Sequence, residues 1–237
     1  MRAKPHRLNR TGGRAIMLLK IPDVLSREEL AKLRMELGRT QFQDGTVTGK
    51  KGLKQNLQSD QVSQQLPQLL QAVTNALMRT DGFTMYALPR KLHMVFNRYD
   101  VGMHYGEHID AALIGPSQDR AVRSDVSFTL FLSDPATYEG GELVMVTPYG
   151  EHFCKEPAGT VVVYPSLVLH RVEPVRKGTR LAAIGWAQSF IRDPLQREMA
   201  YEMDRLRRDL AAEMPGSPYL ERFGRIHQNT LRMWTDN

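Results

Sequence analysis

The chain has 237 residues, of which 41% are hydrophobic and 24% charged, an ordinary globular composition that excludes wholesale disorder. No run of eighteen apolar residues occurs, so no membrane-spanning helix is expected, and the single cysteine, Cys154, excludes disulfide frameworks and cysteine-based zinc sites and fits a reducing, cytoplasmic setting. The formal net charge of +6 comes mostly from Arg2, Lys4, Arg7, Arg10 and Arg14, which leaves 27 basic against 26 acidic residues beyond position 16, so no nucleic-acid partner is expected.

Residues 1–16 have no apolar segment of the secretory kind. They read as a basic, disordered tail, either a solvated arm or the product of an upstream start codon. The second reading is favoured because fold-like patterning begins at Met17. Residues 17–89 form an N-terminal helical region with the first strands. Its first helix is announced by Ser26 and Glu29, spaced as a capping box, with Leu25 and Leu30 placed for a hydrophobic staple. Leu30, Leu33 and Leu37 give that helix an apolar face. Residues 38–58, rich in Gly, Gln and Lys, read as a loop. Val62, Leu66, Leu69, Leu70, Val73 and Leu77 then recur at helical spacing, and Pro67 starts or kinks that helix.

From Phe83 to Phe190 the pattern changes to short β-rich runs at 83–87, 91–99, 125–132, 142–147, 159–163, 167–173 and 179–190, punctuated by Gly and Pro. Such punctuation predicts a sandwich or barrel. The core domain is placed at 90–190. Beyond Asp193-Pro194 the chain returns to helix over a C-terminal extension, 191–237, with Leu195, Met199, Met203, Leu206 and Leu210 in one apolar stripe. The stripe is expected to pack on the barrel; a homo-oligomer formed through it is the alternative.

The residues that can carry chemistry begin with His108-x-Asp110. Two apart on a strand, they point to the same side about 7 Å apart along the backbone, so an imidazole nitrogen and a carboxylate oxygen can converge on one ion. The pair alone is weak evidence. His104 and His108 are spaced as a helical zinc pair, but Gly102 and Gly106 argue against a helix and no acid stands in the HExxH position. His170, in the apolar run 168–172, is the best third ligand. If 174–178 is a hairpin turn, His170 stands opposite Arg180, about 5 Å away on the same face. Two histidines and one carboxylate leave three positions open on an octahedral metal, the facial triad of non-haem Fe(II) oxygenases. A 2-oxo acid can fill two of them, and its far carboxylate needs a planar, always charged partner such as Arg180. O2 takes the last. His6, His93, His152 and His227 show no partner pattern and receive no role.

At these residues the sequence resembles the Fe(II)/2-oxoglutarate-dependent dioxygenases, and more closely the PKHD-type hydroxylases of the prolyl 4-hydroxylase superfamily. The matching segments are Tyr99-x-x-Gly102, His108-x-Asp110, Arg123-Ser124-Asp125-Val126-Ser127, Gly140-Gly141-Glu142-Leu143, His170-Arg171-Val172, Gly178-Thr179-Arg180 and Phe190-Ile191-Arg192-Asp193. The resemblance runs from about Met17 to the C-terminus. It implies a mainly β fold with flanking helices and a double-stranded β-helix (jelly-roll or cupin-like) core. It further implies Fe(II) on His108, Asp110 and His170, and 2-oxoglutarate on Arg180. Tyr99 matches a position that contacts the cosubstrate in related enzymes, with a core aromatic as the equal alternative. Trp186, six residues after Arg180, is a candidate pocket wall, and Arg123 a candidate contact for substrate anions. The implied activity is hydroxylation of a small-molecule or peptidyl substrate with release of succinate and CO2, L-ascorbate serving as reductant, with a link to iron uptake. A non-catalytic cupin-like metal binder and a zinc hydrolase are the competing readings.

Overall fold

The structure is a computed structural model in which residues 17–48, 52–60, 64–115, 117, 119 and 121–235 are described. The basic tail and Val62 lie outside the described residues. Helix α1 (Arg27–Leu37) opens with the expected capping box: the Ser26 hydroxyl accepts from the Glu29 N–H at 3.2 Å and the Glu29 carboxylate accepts from the Ser26 N–H at 2.9 Å. Helix α2 (Leu66–Met78) begins with Pro67 in its first turn, where the missing N–H has no helical partner to lose, and buries Leu66, Leu69, Val73 and Leu77.

Residues 83–87 are helical, contrary to the strand expected there. They belong to α3 (Asp81–Ala87), which ends at Leu88 in a left-handed conformation. Phe83, Tyr86 and Ala87 fall at helical spacing and are buried, Phe83 edge-on against Phe128 with centroids 5.4 Å apart. Burial of these rings overrides the strand preference of their residue types.

The strands form two sheets. The larger runs in the order β1 (Leu19–Ile21), β13 (Val161–Pro165), β9 (Val126–Phe131), β16 (Arg180–Ser189), β5 (Pro89–Tyr99), β4 (Leu57–Ser59) and β2 (Phe42–Asp44). The smaller runs β12 (Gly150–Cys154), β11 (Leu143–Thr147), β14 (Leu169–Val172), β6 (His104–His108) and β3 (Lys54–Gln55). Two short ribbons pair β10 (Glu139–Gly140) with β15 (Val175–Lys177) and β7 (Leu113–Ile114) with β8 (Val122–Arg123). From β5 onward the main strands pass between the large and the small sheet, with β11 and β12 as the one consecutive pair kept together. That is the winding of a jelly roll, the double-stranded β-helix.

β2, β3 and β4 correct the loop expected over 38–58. Apart from Phe42 and Leu57 their residues are polar, so propensity gives little strand signal; pairing with β5 and β6 supplies the order. The hairpin expected over 174–178 is also absent. β14 pairs with β11 and β6, whereas β16 pairs with β5 and β9. The segment between them crosses from one sheet to the other and pairs with β10 on the way. His170 and Arg180 are therefore not cross-strand neighbours; they stand in different sheets that enclose one cavity.

Strand periodicity divides the core. On β9, Val126, Phe128 and Leu130 face the helices, joined by Met94, Phe96, Ala183 and Ala187 and by Leu33, Leu37, Val73 and Leu77. The intervening residues face between the sheets, where Tyr99, Phe131 and Tyr164 meet Leu143, Met145 and Val172.

The C-terminal extension comprises α4 (Pro194–Glu213) and α5 (Pro218–Trp234). The stripe on α4 is not packed on the barrel as expected: Leu195, Met199 and Leu206 are exposed. The face turned inward carries Arg197 and Ala200, with Tyr201 edge-on against Tyr86. Arg197 donates to the carbonyls of Ile191, Arg192 and Asp125 at 2.8–2.9 Å, so hydrogen bonds rather than the apolar stripe fix the helix orientation.

Candidate metal and cosubstrate site

Asp110 follows the end of β6, His108 is its last residue, and His170 lies on β14 directly opposite His108 in the ladder. Strand pairing thus does what the sequence spacing could not, bringing the distant histidine beside the His-x-Asp pair. One ligand atom from each of the three lies within 4.8 Å of the others. The Nε2 atoms of His108 and His170 are 3.8 and 3.9 Å from Asp110 Oδ1. Each imidazole is oriented from behind. His108 Nδ1 is 2.8 Å from the Gly106 carbonyl and His170 Nδ1 2.9 Å from the Val168 carbonyl. A carbonyl only accepts, so the proton sits on Nδ1 and the Nε2 lone pair is free for a metal.

The carboxylate is oriented in the same way. The Ser127 hydroxyl donates to Asp110 Oδ2 at 2.6 Å, and Ser166 Oγ stands 2.7 Å from Ser127 Oγ. Ser127 has one proton to give, so Ser166 donates to it. Tyr105 stacks on His108 with centroids 3.6 Å apart, and Tyr164 meets His170 edge-on at 5.3 Å. Burial, and then the neighbouring His170, pull the His108 pKa down to about 4. The imidazole therefore stays neutral and able to ligate at neutral pH.

Arg180 begins β16 opposite Tyr99 at the end of β5. The Thr179 hydroxyl donates to Asp100 at 2.8 Å and pins this corner. The Gly140-Gly141 pair is also explained here. Both glycines have positive φ, a Cβ on Gly140 would collide with the Pro174 carbonyl, and one on Gly141 would meet Arg180 Cδ at 3.0 Å. The guanidinium is 1% exposed. It lies 5.1 and 5.3 Å from the Tyr99 and Phe131 ring centroids, yet none of its three nitrogens has a hydrogen-bond partner among the described residues. A buried, unsatisfied cation in a cavity is a place for an anion. The cavity, about 700 Å³, is lined by the three ligand residues, Arg180, Tyr99 and Trp186 together. The donor set and the orphaned guanidinium fit Fe(II) and a dicarboxylate such as 2-oxoglutarate.

Arg123 is placed differently. Its Nε donates to Asp125 at 2.8 Å and its Nη2 to the Ser189 carbonyl at 3.2 Å, and it does not line this cavity. Cys154 is buried, which pushes its thiol up to about 11 and keeps it unreactive. Sequence reading missed Ser127 and Ser166, Lys54 and Gln58, and His93, which stacks with Trp186 and lines the cavity. The signal for His93 is present once β5 and β16 are paired, because it then stands opposite Trp186.

A jelly roll that brings two histidines and one carboxylate together beside a buried arginine fits the class of Fe(II)- and 2-oxoglutarate-dependent oxygenases. Residues 94–188 match the family model of the 2OG-Fe(II) oxygenase superfamily. A PKHD-type hydroxylase of Thermosynechococcus vestitus is 44% identical over 224 residues, covering 93% of this chain and all of that protein. A PKHD-type hydroxylase of Crocosphaera subtropica is 43% identical with the same coverage. The crystal structure of a Pseudomonas putida prolyl-4-hydroxylase shares the fold with a TM-score of 0.55 at 21% identity, covering 73% of this chain and 93% of that one. The chain belongs to the PKHD-type hydroxylase family. It is an enzyme of the Fe(II)/2-oxoglutarate class, and of the three readings open to the sequence the dioxygenase is the one supported. Among the described residues no helix is long and apolar enough to cross a membrane.

Proposed function

We propose that Arg180 binds the distal carboxylate of 2-oxoglutarate, with the Tyr99 hydroxyl as a second contact, and that His108, Asp110 and His170 hold Fe(II) against the other end of the cosubstrate. The observation that carries this reading is the buried guanidinium, without a hydrogen-bond partner among the described residues, in the same cavity as the triad. Iron bound there supplies the oxidising chemistry that couples decarboxylation of 2-oxoglutarate to hydroxylation of a substrate C–H bond.

The chain's own residues orient and enclose. The Gly106 and Val168 carbonyls fix both imidazoles, and Ser127 fixes the carboxylate. Arg180, flanked by Tyr99 and Phe131, offers a fork of donors that sets the cosubstrate's direction in the cavity. Trp186, half-buried on the same strand, walls the substrate side. The substrate is a small molecule or a peptidyl side chain. Ascorbate keeps the iron reduced after turnover without substrate, a role supported by family resemblance alone. A cytoplasmic location is supported by the single buried cysteine, and a homo-oligomer by the exposed stripe on α4.

Succinate formation from 2-oxoglutarate in Fe(II) and O2 tests the reading. Arg180→Leu is expected to raise the dissociation constant for 2-oxoglutarate about 30-fold or more, equivalent to about 2 kcal/mol. Its unliganded stability should hold or rise, since a buried charge is removed. An unchanged cosubstrate affinity by calorimetry would strip Arg180 of its role.

A further inference from the structure

Arg180 is not the only protein cation on the cavity wall. Lys54, on the edge strand β3, lines the same cavity together with Gln58, and both side chains are buried. Lys54 stands opposite Tyr105 in the ladder. Its Nζ is 3.4 Å from Gln58 Oε1 and 5.5 Å from the centroid of the Tyr105 ring, the ring that stacks on His108. Asp110 and Asp44 act on it electrostatically. Glu107, the other acid lining the cavity, is exposed and paired with Arg171 at 3.2 Å.

The large-sheet wall is aromatic. Trp186 and His93 face each other across β16 and β5, their rings stacked with centroids 6.0 Å apart and 21° between planes. Six residues along β16 separate Trp186 from Arg180, about 20 Å of strand. A five-carbon diacid anchored on Arg180 leaves that end of the cavity free.

We propose that this end is the substrate subsite and that the substrate is a small organic anion, its negative group on Lys54 and its flat portion along Trp186 and His93. The proposal rests on the assignment of Arg180 to 2-oxoglutarate. Lys54 lines the cavity beside the ring that stacks on His108, where an ammonium selects for negative charge. The Trp186–His93 pair offers aromatic surface against which an unsaturated group can pack.

The chain has two tryptophans, so Trp234→Phe leaves Trp186 as the sole indole reporter. In that background, loaded anaerobically with Mn(II) and saturating 2-oxoglutarate, benzoate and benzamide form a matched pair of equal size and different charge. Benzoate is expected to change Trp186 fluorescence with at least about tenfold higher affinity than benzamide. Lys54→Met should erase the preference and Lys54→Arg should keep it, while 2-oxoglutarate affinity by calorimetry stays within about twofold. Equal affinities, no saturable response to benzoate, or a preference that survives Lys54→Met overturns the proposal. So does loss of 2-oxoglutarate binding in Lys54→Met, which would move Lys54 into the cosubstrate site. An unchanged 2-oxoglutarate affinity in Arg180→Leu instead sinks the assignment of Arg180, and the subsite with it.

Discussion

The two faces of the large sheet are built from alternate residues of the same strands, and they do opposite things. On β9, Val126, Phe128 and Leu130 press against the helices, whereas Ser127 and Thr129 point between the sheets. On β16, Ala183 and Ala187 face the helices, whereas Arg180 and Trp186 line the cavity. Both faces are buried, yet one is apolar and the other holds a cation with no hydrogen-bond partner among the described residues and a hydroxyl committed to a carboxylate. The outer face supplies stability; the inner face gives some up to hold charged and polar groups ready for a metal and an acid.

Substitutions on each face separate the two contributions. The largest effect should come from the ligands themselves. Asp110→Ala leaves two imidazoles without their carboxylate, and turnover should fall by well over about 100-fold, beyond what removal of a supporting partner costs; metal content after dialysis would check it. Phe128→Ala, on the outer face, should cost about 3–5 kcal/mol in urea unfolding. The fraction that remains folded should keep the affinity of the intact protein for 2-oxoglutarate, and a joint loss would show that the faces are not independent.

Smaller effects sharpen the same contrast. Ser127→Ala removes the hydrogen bond to Asp110 Oδ2 but keeps the ligand. Metal affinity should fall about tenfold with little change in melting temperature. The smallest effect is in pH. His108 titrates near 4 in the folded protein against an ordinary 6.5, so between those values the unfolded chain binds more protons than the native one. The metal-free protein should lose stability as pH falls from about 6.5 towards 4, and His108→Gln should flatten that slope in acid-unfolding curves.

Much of this was legible in the sequence, where local chemistry carries the signal. Ser26 and Glu29 announce the first helix because a cap is satisfied within one turn. Pro67 marks the start of the second because it cannot donate. The His-x-Asp pair was readable from its ligand types and spacing, although Asp110 lies just past the strand that ends at His108. By contrast, 83–87 was misread because the rings of Phe83 and Tyr86 favour strands locally and are held in a helix by distant partners, Phe128 and Tyr201. The polar strands over 42–59 gave no pattern at all, and with them went Lys54 and Gln58.

Short segments already carried a sandwich or barrel of strands, its helical flanks and the ligand residues, because alternation, caps and ligand types are local; the jelly roll itself came from the family resemblance. How they meet was settled by strand pairing in three dimensions. The sequence suggested that His170 and Arg180 face one another across a hairpin; in the folded chain they belong to separate sheets and line one cavity from there. A turn and a crossover can be written with the same few residues, Pro174 to Gly178. Which one forms depends on the partners waiting on either side: β10 for the crossing segment, β6 and β11 for the strand before it, and β5 and β9 for the strand after it.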